Sequence, residues 1–174
     1  MLPMPAMSDP SSRMIVEASS KDDAVIVMRR TFDAPRDLVW TVFTDPKHVV
    51  RWFGGAGFTN PVCEMDVRPG GKWRHVMRFP DGDEYAMDFV FVEITRPSRL
   101  VWKNADYDTR TSGPPACINE ITLKDAGRRT EWELVARFKT FEARDLAVKS
   151  GHSTVVTEGS EKLARILDEL QRSS

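Results

Sequence analysis

Three histidines are the side chains of this sequence best suited to acid–base or metal chemistry. His48, His75 and His152 are widely separated and form no HxxxH or HExxH pair, and Cys63 and Cys117 lack a CxxC partner. Because zinc sites need closely spaced ligands of these kinds, the pattern does not predict a metal site. We expect neither a bound metal nor an organic cofactor.

His75 is the histidine whose neighbours suggest a role. Apolar and charged residues alternate over residues 71–79, which predicts a strand with His75 between Trp73 and Met77 on its buried face. The opposite face carries three basic residues, Lys72, Arg74 and Arg78. Two interpretations are open. His75 is a core histidine hydrogen-bonded to a neighbour, or it contacts a ligand, where it could be the general acid or base of an enzyme.

His152 is the second polar candidate because it precedes an apolar helical stripe. It lies four residues before Val156 and seven before Gly159, so helical periodicity brings it to the same face. A solvated histidine beside Gly151 is the open alternative. Gly159 predicts close approach to the sheet or space for a ligand, because glycine costs about 1 kcal/mol relative to alanine inside a helix.

Two short motifs look like catalytic or phosphate-binding signatures but lack essential positions. Residues 151–155, GHSTV, have Val155 in place of the second glycine of a nucleophile elbow, and no strand precedes them. Residues 54–57, GGAG, follow a helix and lack the Lys-Ser/Thr pair of a phosphate loop, so we interpret them as a mobile, lid-like loop. We expect the acidic residues of segment 81–88 to be solvated rather than a catalytic pair.

The composition restricts the class of partner. The 174 residues are 41% hydrophobic with a formal net charge of -1, which does not favour nucleic-acid or membrane binding. A membrane helix needs about 20 consecutive apolar residues, and no apolar run of this sequence is nearly as long. The first residues do not resemble a signal peptide. We expect a mostly disordered leader over residues 1–22, one domain over 23–172, reduced cysteines and a cytoplasmic location.

The order of the predicted elements indicates an α+β fold. The sequence predicts a strand at 24–31, short helices at 35–43 and 46–52, about six antiparallel strands, and a helical segment at 142–171 with a break at Gly151. A twisted antiparallel sheet of six to seven strands can wrap such a long amphipathic helix, which is the helix-grip fold.

The hairpin after residue 71 also has a predicted register. Pro80-Asp81-Gly82-Asp83 is typical of a turn, with positive φ at Gly82. We expect Met77 to lie opposite Met87 and His75 opposite Phe89, which collects the aromatic side chains of the hairpin on one face.

Three stretches closely resemble signature stretches of the SRPBCC (START-like) superfamily: FDAPRDLVWTVFTDPKHVVRWFG, CEMDVRPGGKWRHVMRFPDGDEY and FVEITRPSRLVW. The AP-x-x-x-V-W helix start, D-x-RPGG turn, PDG hairpin and P-x-RL strand together resemble the branch named after the activators of the heat-shock chaperone ATPase. The resemblance covers roughly residues 24–170 and implies the helix-grip fold. The superfamily includes ligand carriers, cyclases, lyases and co-chaperone modules, so it does not decide the function. Members of the family often have a bulky aromatic residue where this chain has Ser160.

These observations predict a cavity of roughly a few hundred Å³ between the sheet and the C-terminal helix, which binds a small, largely apolar molecule. Its predicted lining is Trp73, His75, Met77, Met87, Phe89, Phe91, Trp102, Asn119, Trp132 and His152. One alternative is a cofactor-independent cyclase or lyase that uses His75 in the same cavity. Another, from the family's name alone, is a co-chaperone-like ATPase activator in a stress response. We expect no nucleic-acid or membrane partner, and homodimer formation is left open.

Overall fold

The computed structural model describes residues 12–173, which form one sheet and four helices. The strands are β1 (Ile15–Glu17), β2 (Val25–Phe32), β3 (Thr59–Met65), β4 (Lys72–Arg78), β5 (Glu84–Thr95), β6 (Arg99–Asn104), β7 (Cys117–Ala126) and β8 (Arg129–Phe138). The helices are α1 (Arg36–Thr44), α2 (Pro46–Trp52), α3 (Phe141–Lys149) and α4 (His152–Arg172). None of these helices is long and apolar enough to cross a membrane.

The sheet confirms the predicted α+β helix-grip architecture but has one strand more than expected. Its eight strands are ordered β1-β2-β8-β7-β6-β5-β4-β3, and neighbouring strands are antiparallel. The additional strand is β1, which lies within the segment predicted to be a disordered leader, so that prediction is wrong for residues 15–17. A three-residue edge strand with every side chain exposed carries no alternation by which it could be recognised. Residues 1–11 of the predicted leader lie outside the described residues.

The β4–β5 hairpin has the predicted faces but not the predicted register. The observed pairs are Trp73 with Phe89, His75 with Met87 and Met77 with Tyr85. The loop has only three residues, 80–82, because the Phe79 N–H donates to the Asp83 carbonyl at 2.8 Å. The shift from the prediction is two residues, and an even shift keeps every side chain on its face. The basic residues of β4 are accordingly exposed, as predicted.

Helix α4 covers the concave side of the sheet together with α1 and α2. The predicted break before it is confirmed, because Gly151 adopts a φ of 90° between α3 and α4. Leu163, Ile166 and Leu167 are the buried apolar residues of α4.

Gly159 allows α4 to cross α2 at close range. A Cβ atom at Gly159 would lie 3.0 Å from the backbone oxygen of Trp52 and 3.1 Å from that of Gly54. The glycine therefore makes room for the end of α2 and not, as one of the two predictions had it, for the sheet. It also lines a cavity between the sheet and α4, where the other prediction placed space for a ligand.

Candidate functional site

The inner face of the sheet has two parts that follow one another along the strands. In the closed half the side chains pack directly against one another, and the open half borders a cavity. Trp73 is the centre of the closed half. Its ring stacks on Phe91 with 5.9 Å between centroids and 13° between planes, and meets Phe53 edge-on at 5.6 Å. Side chains in this half pack directly against one another, as in an ordinary protein core.

The open half encloses a cavity of about 580 Å³. It lies where β4, β6 and β8 end, where β5 and β7 begin, and against the first half of α4. Its volume falls in the range of about 300–1,000 Å³ that is usual for small-molecule sites. The apolar part of the wall includes Phe32, Phe43, Met77, Phe79, Met87, Phe89, Trp102, Leu134, Phe138, Val155, Val156 and Leu163.

The structure brings most, but not all, of the predicted lining residues to this cavity. Seven of the ten line it: Met77, Met87, Phe89, Trp102, Asn119, Trp132 and His152. Trp73, His75 and Phe91 are on the predicted face but lie in the closed half, so their assignment to the cavity is wrong. The sequence reasoning missed Tyr85 and Asn104, which also line the cavity and could have been found from the same strand alternation.

His75 is fully buried, and both of its ring nitrogens have protein partners. The Trp73 Nε1–H donates to Nδ1 at 3.2 Å, and Nε2 lies 2.7 Å from the Oδ1 of Asn60. Asn60 is fixed in turn, because its Nδ2 donates to the carbonyls of Val50 and Phe53, each at 2.9 Å. Its oxygen must therefore face the imidazole, so Nε2 carries the hydrogen and Nδ1 accepts.

This hydrogen-bond network assigns His75 a structural role. Burial lowers the pKa of His75 to about 4, so the ring is neutral at pH 7. Because the ring does not line the cavity and both nitrogens have protein partners, the geometry favours the core histidine of the two open interpretations over a ligand contact or a general acid or base. The residue instead connects β3 and β4 to the end of α2.

Two ring nitrogens beside the cavity have no hydrogen-bond partner among the described residues, the Nδ1 of His152 and the Nε1 of Trp132. Both atoms are enclosed by neighbouring side chains rather than open to the cavity. The His152 ring meets Phe138 edge-on at 6.1 Å, and burial lowers the pKa of His152. The imidazole therefore contributes a neutral ring edge to the wall.

Asn104, Cys117 and Asn119 form a polar cluster on the inner face of β6 and β7. The Oδ1 of Asn104 accepts the backbone N–H of Cys117 at 2.9 Å, and the Oδ1 of Asn119 accepts its thiol at 3.6 Å. Burial raises the pKa of Cys117 to about 11, so the thiol stays protonated at neutral pH.

The mouth of the cavity lies between segment 105–116 and the junction of α3 with α4. The lining residues that are exposed to solvent belong to these two segments: Gly113, Pro114, Leu146 and Ser150. Arg110 lies at this mouth and donates to both carboxylate oxygens of Asp106, at 3.0 and 2.8 Å. Its charge is thus compensated. Within residues 12–173, no group of His, Cys, Asp or Glu side chains could hold a metal ion.

The GGAG segment, predicted as a mobile lid, is attached to α4 by two side chains. The Glu158 carboxylate accepts the N–H of Ala56, and the Lys162 Nζ donates to the Gly55 carbonyl at 2.9 Å. Gly54 belongs to the cavity wall. The two contacts therefore anchor one side of the wall to the helix.

Ser160 leaves space for an inward-facing arginine where the family resemblance implies a bulky aromatic residue. The Arg30 Nη1 donates to the Ser160 Oγ at 3.0 Å, and Ser160 donates to the Thr157 carbonyl at 2.7 Å. The Arg30 guanidinium lies 4.5 Å from the ring centroid of Phe32, and burial lowers its pKa. The arginine thus packs beside the cavity wall between β2 and α4.

Solved structures of bacterial proteins share this architecture. A protein from Nitrosomonas europaea is 24% identical, with a TM-score of 0.79 over 88% of this chain and 99% of that one. A protein from Arthrobacter aurescens is 21% identical, with a TM-score of 0.79 over 89% and 91% of the two chains. One from Rhodobacter sphaeroides is 22% identical, with a TM-score of 0.78 over 91% and 99%. At these identities the likeness shows the fold alone.

No curated protein matches the sequence. The family described as Activator of Hsp90 ATPase homolog 1-like protein matches residues 33–171, which is most of the chain. The chain therefore belongs to this family.

Proposed function

We propose that the protein binds a small, largely apolar molecule in the cavity between the sheet and α4. The observation that carries the proposal is an apolar space of about 580 Å³ between the sheet and α4. Burial of apolar ligand surface in such a wall is favourable by about 25 cal/mol per Å². A ligand would also make packing contacts with the apolar side chains of the wall.

The titratable groups around the cavity fit binding better than acid–base chemistry. Burial lowers the pKa of His152 and raises that of Cys117 to about 11, so both groups are neutral at pH 7. The charge of Arg110 is compensated by Asp106. The groups at the wall are thus held in one protonation state, whereas a general acid or base works best with a pKa near the operating pH.

Fluorescence of the neutral dye N-phenyl-1-naphthylamine, which increases in apolar surroundings, tests the proposal. We expect one saturable binding site and a melting temperature that rises with dye concentration. Val156→Trp, which fills the cavity from α4, should abolish both effects. Val92→Trp is the matched control, because Val92 is 48% exposed and lies outside the cavity wall, so the same change there should leave binding intact.

Circular dichroism of both variants would show that they fold before binding is compared. Absence of saturable binding to the wild-type protein, for the dye and for a panel of neutral apolar compounds, would contradict the proposal. Equal binding by the two variants would place the dye outside the cavity.

A further inference from the structure

We propose that the ligand is neutral and carries an oxygen acceptor, such as the carbonyl of a ketone, ester or quinone, which the side-chain amide nitrogens of Asn104 and Asn119 recognise. The inference rests on the proposed function, since it names the chemistry that the same cavity selects.

The two asparagines are neighbours on the inner face of the sheet. Asn119 pairs with Trp102 across β6 and β7, so Asn104, two residues further along β6, is its diagonal neighbour. Diagonal neighbours in an antiparallel pair have Cα atoms about 7–8 Å apart. Both residues line the cavity and are only 6% and 7% exposed, so most of each side chain is already fixed in the wall.

The amide nitrogens, rather than the amide oxygens, are the groups that still lack a partner. The Oδ1 of Asn104 accepts the backbone N–H of Cys117 and the Oδ1 of Asn119 accepts its thiol, so each oxygen already has one hydrogen bond. The Asn104 amide cannot be reversed without placing its NH₂ group against a backbone N–H. The Nδ2 of Asn104 therefore faces away from Cys117, and so does the Nδ2 of Asn119, whose Oδ1 lies toward the thiol.

These two nitrogens are also accessible. Neither has a hydrogen-bond partner among residues 12–173. The unpaired nitrogens of Trp132 and His152 are enclosed by their neighbours, whereas the Nδ2 atoms of Asn104 and Asn119 are not. Because both side chains line the cavity, their nitrogens are open to a molecule bound in it. A ligand without an acceptor would cover these donors and leave them unpaired, which is unfavourable. A carbonyl oxygen has two lone pairs and can accept from both.

The charges around the cavity favour a neutral acceptor over a carboxylate. The one cationic side chain in the described part of the wall is Arg110, which already binds the carboxylate of Asp106 and the carbonyl of Pro114. His152 is neutral for the reason given above. An anionic ligand would therefore be buried without a free counter-ion, at a considerable desolvation cost.

A pair of nearly isosteric probes tests the inference, 2-acetylnaphthalene and 2-isopropenylnaphthalene, in which a C=CH₂ group replaces the C=O group. Their affinities would be measured by displacement of N-phenyl-1-naphthylamine from the wild-type protein and from Asn119→Leu. We expect the substitution to weaken the ketone about fivefold to tenfold relative to the hydrocarbon, the loss of roughly one hydrogen bond. Met87→Leu is the control, since it changes the wall without a polar group and should leave the ratio of affinities unchanged.

A second measurement uses the wild-type protein and does not depend on the folding of a variant. The sequence contains three asparagines and one glutamine, so its ¹H–¹⁵N spectrum has only four side-chain amide pairs. The ketone, but not the hydrocarbon, should shift the signals of Asn104 and Asn119. Asn60 is the internal control, because its amide donates to two backbone carbonyls and should not respond.

The outcomes separate this inference from the proposed function. If neither probe binds the wild-type protein, both fail together. If both bind and Asn119→Leu weakens them equally, or the two amide signals do not respond to the ketone, the cavity binds ligands but the asparagines do not select them. If the anion 2-naphthoate bound more tightly than the ketone, the inference that the ligand is neutral would be wrong.

Discussion

Replacing His75 by phenylalanine should destabilise the protein, although the new ring suits the apolar surroundings. The substitution keeps a planar ring beside Phe53, whose centroid lies 4.2 Å from that of the imidazole. It removes both hydrogen-bonding nitrogens. The Nε1 of Trp73 and the Oδ1 of Asn60 then lose their partners in a buried site.

The expected loss follows from these two atoms. A buried donor or acceptor left unpaired costs about 1–3 kcal/mol, so the two together predict a decrease of about 2–6 kcal/mol in the free energy of unfolding. Urea denaturation followed by tryptophan fluorescence would measure it, with the slope of the transition as a check on two-state behaviour.

His152→Phe is the matched control for this substitution. The Nδ1 of His152 has no partner among the described residues, and its ring already packs against Phe138. Replacing His152 by phenylalanine therefore removes no hydrogen bond between Nδ1 and the protein. It should change the stability by less than about 1 kcal/mol.

The pH dependence of stability gives a second measure of the same residue. The pKa of His75 is lowered from 6.5 to about 4 in the folded protein, so between these values the unfolded chain binds the additional proton. The contribution of His75 to the free energy of unfolding is complete above about pH 6.5. It is lost as the pH falls toward 4, which lowers the stability by about 3 kcal/mol in total. This part of the pH dependence should be absent from His75→Phe. His152→Phe should keep it and lose only the separate contribution of His152, whose pKa burial also lowers. A stability of His75→Phe within about 1 kcal/mol of the wild type, with an unchanged pH dependence, would refute the network.

Three further predictions concern the helix packing and the thiols. Gly159→Ala should lower the stability by about 1 kcal/mol in urea despite the better helix propensity, because its Cβ would lie 3.0 Å from a backbone oxygen; a more stable variant would contradict this. Leu163→Ala should cost about 2–5 kcal/mol, since Leu163 is 1% exposed, and a loss below about 1 kcal/mol would mean that the buried face of α4 is wrong. Burial raises the pKa values of Cys63 and Cys117 to about 11, so 5,5′-dithiobis(2-nitrobenzoate) should label neither thiol at about pH 8 before unfolding; rapid labelling of the native protein would show otherwise.

Local sequence signals predicted the elements of the fold well, because each depends on one residue's own chemistry. Asp45 accepts the N–H of Lys47 and begins α2, with Pro46 as its first residue. Gly151 interrupts the C-terminal helical segment because its φ of 90° suits glycine alone. The short edge strand β1 was not predicted, because it is defined by its pairing with β2 and a local sequence pattern carries no information about that pairing.

The site was predicted less completely, because alternation specifies the face of a strand and not the position along it. His75 and Met77 share a face and are two residues apart, yet only Met77 lines the cavity. His75 instead lies against Phe53 and hydrogen-bonds Asn60, and no sequence pattern links either residue to it. The two asparagines of the cavity illustrate the same limit, since only their strand pairing brings Asn104 next to Cys117 and Asn119.

Phe53 forms the boundary between the closed and open halves of the core. Its ring contacts Trp73 and His75 on one side, and it lines the cavity on the other. Its carbonyl is held by Asn60, and Gly54, the next residue, packs against Gly159 of α4. The position of this boundary thus depends on contacts from β3, β4 and α4 at once. A histidine that does not line the cavity therefore helps to determine where the cavity begins.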